Sequence, residues 1–483
     1  MLSHTPVRRR RQTGPPSRRI QRASNVLQEA ARRVATAQGT DTDVTRDRIS
    51  RILVLGLPIV GGMISQNVLD LVDTAMVGVL GPAPLAAVAV GSYATFLSMA
   101  LLLGVATGVQ AMTARRRGEG GAAAYAVPLN AGLLLAVIVG LPLTALLLPL
   151  APALFPLLNQ DPAVLADGIP YFETRLWGIL PTAMNFAFRG YWNGLELSLV
   201  YLRTIVTIHL LNILLNWVFI FGNLGAPEMG APGAGLATTL AVTIGTALHL
   251  IQAWRQGRRH GFLAAMPGLA TIRTVGGLAV PSSIQMLGFA AGLVAFLWII
   301  GQVGTPAVAV SGVIMNLLKV ALLPGLGLGL AALSLVSQAL GAGNVADARR
   351  WGWDVTGVAA VALLAISLPA VIFPDLILAG FLHEPALIDL ARGPLRLVAV
   401  TTVVDAFGMI LMNAMLGAGA ARTVMSVTIV CQWAIGLPLA WLFGVGLEYG
   451  VMAIWICQVG YRALQAVIFM LLWARDGWTR IRV

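Results

Sequence analysis

From residue 51 onward the chain alternates between long apolar runs and short polar breaks. The runs are continuous, without the every-second-residue pattern of a strand, and each is near the ~20 residues that a helix needs to cross a bilayer. On this pattern twelve spans are predicted at roughly 52–79, 85–111, 123–150, 164–188, 199–222, 233–254, 274–301, 307–337, 352–373, 388–415, 424–445 and 450–473. A backbone in lipid must satisfy its own hydrogen bonds, so it spans as helices or as a closed barrel. The absence of alternation selects helices.

Sliding the chain against itself by 223 residues brings small and kinking residues into register. Pro58 meets Pro281, Gly78 meets Gly301, Gly81 meets Gly304, Ala86 meets Ala309, Gly104 meets Gly327, Gly118 meets Gly341 and Gly120 meets Gly343. Further on the offset drifts to 215, where Gly235 and Gly245 meet Gly450 and Gly460. Six spans separate the copies. An even number keeps both in the same orientation, so the repeat is parallel about an axis along the membrane normal. The expected fold is therefore all-α and polytopic: twelve helices in two six-helix lobes facing a central cavity. Residues 1–50 are expected as a basic, disordered cytoplasmic tail, 51–260 as the N-lobe and 261–483 as the C-lobe.

Composition excludes a soluble globule, since 58% of residues are hydrophobic and 11% charged, against a charged share near ~25% in soluble domains. The net charge of +12 points to no acidic partner, because residues 1–51 hold twelve Arg and four acids. In the tail Arg8 to Arg11 precede a short amphipathic pattern of Ile20, Leu27, Ala31 and Val34, suited to an anionic lipid surface rather than to nucleic acid. No apolar core follows the arginines closely enough for a cleaved signal. With the tail inside, the loops bearing Arg115 to Arg117, Arg255, Arg258, Arg259, Arg349, Arg350, Arg475 and Arg480 are also cytoplasmic. The opposite loops carry Asp161, Asp167, Glu228, Asp375, Glu384 and Glu448, as the positive-inside rule asks. Both termini are expected in the cytoplasm of a cell with this protein in its inner or plasma membrane, and the chain is expected to act as a monomer. Trp192, Trp254, Trp351, Trp353, Trp473 and Trp478 fall near span ends, where amphipathic rings prefer to sit. Cys431 and Cys457 lie in apolar spans and read as small buried hydrophobes.

Few polar side chains interrupt the spans: Asp70 and Asp73 in span 1, His209, Asn212 and Asn216 in span 5, Thr238 in span 6, Lys319 in span 8, Asp405 and Asn413 in span 10, and Arg462 in span 12. An ionisable group at membrane depth faces protein or a wet cavity and marks function by default. Asp70 is equally compatible with a local hydrogen bond at a helix end. Asp73 lies seven residues before Leu80 and the Gly81-Pro82 turn, too deep for a short side chain to reach water. Ionising it there forfeits hydration, so it stays neutral until water or a cation arrives, the behaviour of a proton carrier. His209, Asn212 and Asn216 are spaced three and four residues apart and share one helix face; interhelical hydrogen bonding alone would also explain Asn216. Lys319, the only lysine in the chain, is expected to pair with Asp405; Arg462 is expected in a buried pair with an unnamed partner. Gly325, Gly327 and Gly329 imitate a phosphate loop, but no strand precedes them and no Lys follows, so close helix packing accounts for them. There is no nucleophile triad, metal-ligand cluster or nucleotide motif, hence no expectation of an enzyme or of ATP as energy source. An ion gradient remains.

The string VDTAMVG followed by LGPAPLAAVAVG in span 1, RRRGEG after span 2, Leu236-Ala237-Thr238 and QALGAGN after span 8 resemble the multidrug and toxic compound extrusion (MATE) family, in particular its DinF-type branch. The likeness covers residues 51–475. It implies a cation-coupled antiporter that exports amphipathic, often cationic drugs by rocker-switch exchange, with no cofactor beyond a proton gradient or possibly sodium. Asp73 matches the family's span-1 proton-binding aspartate, whose protonation in DinF-type members is thought to bend that helix and displace substrate. Asn212 and Thr238 match partners of that carboxylate. Asn216 stands where relatives often carry a second acid, so a carboxylate pair is not expected. Asp405 lies twelve residues before Gly417, as does the C-lobe cation-site aspartate of NorM-type members. Their span-7 glutamate has no counterpart, since only Gln285 offers a long polar side chain there, and hard cations want several oxygens; protons are therefore favoured over sodium. Asp73, Asn212, Asn216, Thr238 and Asp405 are the expected coupling residues, and Asp70, His209, Gln285, Lys319 and Asn413 the expected cavity residues. A lipid-linked precursor flippase of the same superfamily is the alternative. It would need several Arg or Lys in its cavity.

Overall fold

In the computed structural model, residues 41–481 are described, with side chains from residue 45 on. Arg8 to Arg11 and the stretch from Ile20 to Val34 lie outside the described residues. Helix α1 runs Asp41–Gly78, so residues 41–50, expected as tail, are helical. Then follow α2 (Pro82–Gly118), α3 (Val127–Leu154), α4 (Pro162–Leu176), α5 (Ile179–Gly194), α6 (Ser198–Phe221) and α7 (Ala231–Gly257). The second half holds α8 (Leu269–Val303), α9 (Thr305–Gly341), α10 (Val345–Ile372), the short α11 (Pro374–Ala379), α12 (Pro385–Gly417), α13 (Ala421–Gly446) and α14 (Gly450–Ala474).

Eleven helices among the described residues are long and apolar enough to cross a membrane. The fourth crossing, expected as one span, is broken into α4 and α5 at Trp177-Gly178. Pro181 causes this, because it has no amide hydrogen to offer the Trp177 carbonyl one turn earlier. Counting the pair as one crossing gives twelve, in two lobes of six, α1–α7 and α8–α14.

The internal repeat extends to backbone conformation. Gly81 and Gly304, 223 residues apart, open α2 and α9 at φ +115° and +133°, and Gly120 and Gly343 follow those helices at +76° and +73°. Such angles suit glycine and few other residues. The lobes meet where α2 packs on α8 and α9, and where Val60 of α1 lies against Gly327 of α9. A Cβ at Gly118 would strike the carbonyl of Gln338, and one at Gly341 would strike the carbonyl of Arg115. Arg115 and Gln338 are themselves 223 apart, so each contact is the other's image under the two-fold.

Two expectations about apolar residues change. Trp254 and Trp353 are exposed, but Trp192, Trp351, Trp473 and Trp478 are buried, the last two stacked with ring centroids 4.1 Å apart. They pack the core near the span ends rather than meeting headgroups. Gly325, Gly327 and Gly329 do serve close packing: Val60 lies on Gly327, Asn413 on Gly329 and Leu363 beside Gly325. Both cysteines are free, Cys431 buried.

Candidate functional site

Asp73, Asn212, Asn216 and Thr238 converge inside the N-lobe, where α1, α6 and α7 meet. Asn212 and Asn216 are one turn apart on α6 and almost wholly buried. Asn216 Nδ2 donates to Asp73 Oδ1 at 2.7 Å and to Asn212 Oδ1 at 2.9 Å. Asn212 Nδ2 donates to Thr238 Oγ1 at 2.9 Å, and that hydroxyl donates to the Ala234 carbonyl. Asn216 Oδ1 is buried with no hydrogen-bond donor among the described residues.

The Asn212 amide stands between Asp73, Asn216 and Thr238. One of its two terminal atoms lies 3.0 Å from Asp73 Oδ1 and the other 2.9 Å from Thr238 Oγ1. A carboxylate only accepts, whereas the protonated acid also donates, and an amide group, having a donor and an acceptor, has a partner to offer either form.

The other expected residues are placed differently. Asp70 is exposed on α1 and accepts from Gln66 at 2.9 Å. His209 is buried against α1, with Ser65 Oγ at 2.6 Å from Nδ1 and Gln66 Oε1 at 3.1 Å from Nε2. Gln285 and Asn413 are also buried, spending their amides on Met412 Sδ and the Met409 carbonyl. Asp405 belongs to a separate centre in the C-lobe, where Arg462 Nε lies 2.9 Å from its Oδ1. The expected Lys319–Asp405 pair does not form: α12 packs on both α9 and α14, and α14 supplies the cation. The partner of Arg462, which sequence reasoning left open, is thereby found. Ser65 and Gln66 were missed as partners of His209. Their signal was present in the run of polar positions 65, 66, 67, 70 and 73, most of which share the side of α1 turned toward α6.

The side-chain hydrogen bonds that join the lobes fall at Leu101 to Arg116 of α2 and at Asn193, away from the Gly81 and Gly304 end. On α9, Ser334, Gln338 and Gly341 meet the N-lobe, whereas Asn316, Lys319 and Val320, along the same side of the helix, are exposed. On α2 the counterparts under the repeat, Tyr93 and Phe96, are exposed likewise. Helical periodicity puts these exposed faces on the sides of α9 and α2 that meet the opposite lobe farther along, and we read them as the walls of a cleft between the lobes.

The two-fold architecture agrees with a match to known sequences. The MatE family pattern fits this chain twice, over residues 58–218 and 281–442. The chain belongs to the MatE family. The two MatE matches begin 223 residues apart, the separation found in the glycines. This MatE chain is similar to the probable multidrug resistance protein NorM of Rhizobium meliloti (strain 1021), 27% identical over 88% of this chain and 92% of that one. It is also similar to the multidrug resistance protein MdtK of Yersinia enterocolitica serotype O:8 / biotype 1B, 24% identical over 81% and 87%. Its fold resembles that of an outward-facing multidrug resistance MATE family transporter of the MOP superfamily, with a TM-score of 0.79 at 23% identity, covering 89% and 96%.

Proposed function

We propose that this MatE protein is a proton-driven antiporter that exports amphipathic small molecules, with Asp73 as the coupling group. It is a transporter and not an enzyme. The supporting observation is the Asp73–Asn216–Asn212–Thr238 network, in which a single carboxylate at membrane depth has an adjoining amide able to serve it with or without its proton. Sodium is the weaker reading. At Asp405 a guanidinium 2.9 Å away already provides the positive charge that a metal ion would bring, and Asn216 in place of an acid leaves the N-lobe site one carboxylate. A flippase for pyrophosphate-linked lipids is the weaker reading too, because Arg462 is engaged with Asp405.

In this reading the Arg-rich end is cytoplasmic, and the arrangement with lobes joined there and parted at the other end is the outward-open state. An external proton reaches Asp73, substrate leaves, and the lobes rock about the glycine seam to expose the cleft inward. The test is efflux of ethidium, a fluorescent cation, in everted vesicles with an imposed pH gradient or an imposed sodium gradient. The pH gradient should drive transport, and Asp73→Asn should lower it more than tenfold with the protein still present in the membrane. Undiminished transport by Asp73→Asn would refute the assignment.

A further inference from the structure

Lys319 has no ion-pair or hydrogen-bond partner among the described residues, although it lies fourteen residues inside α9. That is about 21 Å along the helix axis from Thr305, too deep for comfort if the ammonium faced lipid tails. Its angular position resolves the difficulty. At 100° per residue, Lys319 projects within about 20° of Leu330, and the Leu330 carbonyl accepts from Gln110 of the opposite lobe at 2.8 Å. The side of α9 that carries Lys319 is therefore the one that meets the N-lobe farther down, and where the lobes part it borders the cleft. Asn316, one turn away and also exposed, lies on this side too.

The repeat makes the charge informative. Under the offset of 223, Lys319 corresponds to Phe96 and Asn316 to Tyr93, so two aromatic rings of the N-lobe wall are matched on the C-lobe wall by an ammonium and an amide. Asp70, exposed on α1, corresponds to Leu293. The cleft is thus polar by design and not by symmetry, with its cation on the C-lobe side.

We propose that Lys319, with Asn316 beside it, is an anion-recognition site that selects amphiphiles carrying a carboxylate or similar anionic group, whose ring system is received by Tyr93 and Phe96. The inference names the substrate class of the transporter proposed above and rests on that reading for its physiological meaning. Binding without any gradient tests it separately. Rhodamine 110, with a free carboxylate, and rhodamine 123, its methyl ester, differ at that one group, and fluorescence polarisation gives a dissociation constant for each with the purified full chain in neutral detergent. The wild type should bind rhodamine 110 more tightly. The ratio of the two constants should fall about tenfold in Lys319→Gln, as expected for loss of a charge-assisted hydrogen bond, and should persist in Lys319→Arg. A wild-type ratio near one, or the same ratio in Lys319→Gln as in the wild type, would overturn the proposal. The measurement is repeated with phosphatidylglycerol in the micelles. If the lipid erases the ratio, the site takes the anion from a headgroup; if the ratio survives, it takes it from a free amphiphile. Should neither dye move under a pH gradient while the Lys319-dependent ratio holds, the efflux reading fails and this one stands.

Discussion

At the scale of single residues, Asp405 shows how a buried charge is made tolerable and why sequence spacing misassigned its partner. A carboxylate in the membrane interior needs a cation, and the helices packed on α12 offer Lys319 midway along α9 and Arg462 midway along α14. Since α12 packs on both helices, adjacency could not choose between them; the choice depends on which face each cation occupies, and Arg462 faces inward. Breaking such a pair costs more than removing it, because the survivor is left charged and unsolvated, at about 3–5 kcal/mol. Arg462→Met should therefore lower the thermal unfolding midpoint of the detergent-purified protein markedly, and adding Asp405→Asn should recover much of the loss. A double variant no more stable than Arg462→Met would show that the pair is not what holds this part of the lobe. By contrast, the four side chains that meet in the N-lobe were all named from the sequence. Asn212 and Asn216 stand one turn apart, and Asp73 and Thr238 were named with them, so helical periodicity together with the family likeness carried the geometry. His209 was grouped with the cavity because spacing alone cannot tell a side chain facing a neighbouring helix from one facing water.

Among the elements, the interrupted fourth crossing is the part of the fold that hydropathy could not read. An apolar run looks the same whether the helix continues or breaks, although Gly178 and Pro181 were visible as a break signal. What keeps the break stable comes from other helices. The Gly178 amide turns to the Arg175 carbonyl instead of that of Thr174, and the released Thr174 carbonyl accepts from Thr239 Oγ1 of α7 at 2.8 Å. Thr144 of α3 donates likewise to the Leu176 carbonyl at 3.3 Å. This is how irregular backbone survives at membrane depth: neighbours supply the missing donors. Thr239→Val keeps the shape and removes one donor, so it should destabilise the protein by about 1–2 kcal/mol, read as a lower unfolding midpoint. Thr207→Val makes a useful comparison, because the Thr207 hydroxyl is exposed and bonds only the Arg203 carbonyl of its own helix. Equal effects of the two would show that the break does not depend on α7. The widened turns of α13 at Val430–Gly436 had no sequence signal at all. There Gly436 lies against the Tyr461 ring, a packing relation between helices that no local pattern encodes.

For the whole molecule, the repeat seen as glycines in register becomes a seam whose contacts come in symmetric pairs. Gly118 on the Gln338 carbonyl and Gly341 on that of Arg115 allow backbone to touch backbone at one end of the two lobes, as small residues do wherever membrane helices approach closely. If the lobes rock about this seam, it must be able both to close and to open, and a side chain at Gly341 would prevent only the closing. The Gly341→Leu variant should therefore shift the population toward the state in which the Arg-rich end is parted. Ser334 reports on this directly: it is buried in the seam, where it accepts from Gln110 at 2.9 Å. With Cys431 and Cys457 replaced by Ala and Ser334 by Cys, a membrane-impermeant maleimide should label the parent slowly and the Gly341→Leu form several-fold faster. Gly301, near the parted end, has nothing within 4 Å of a would-be Cβ, so Gly301→Leu should leave the labelling rate as it was. Equal rates in the Gly341→Leu and Gly301→Leu forms would mean that the glycine pair packs the lobes without governing which end is closed.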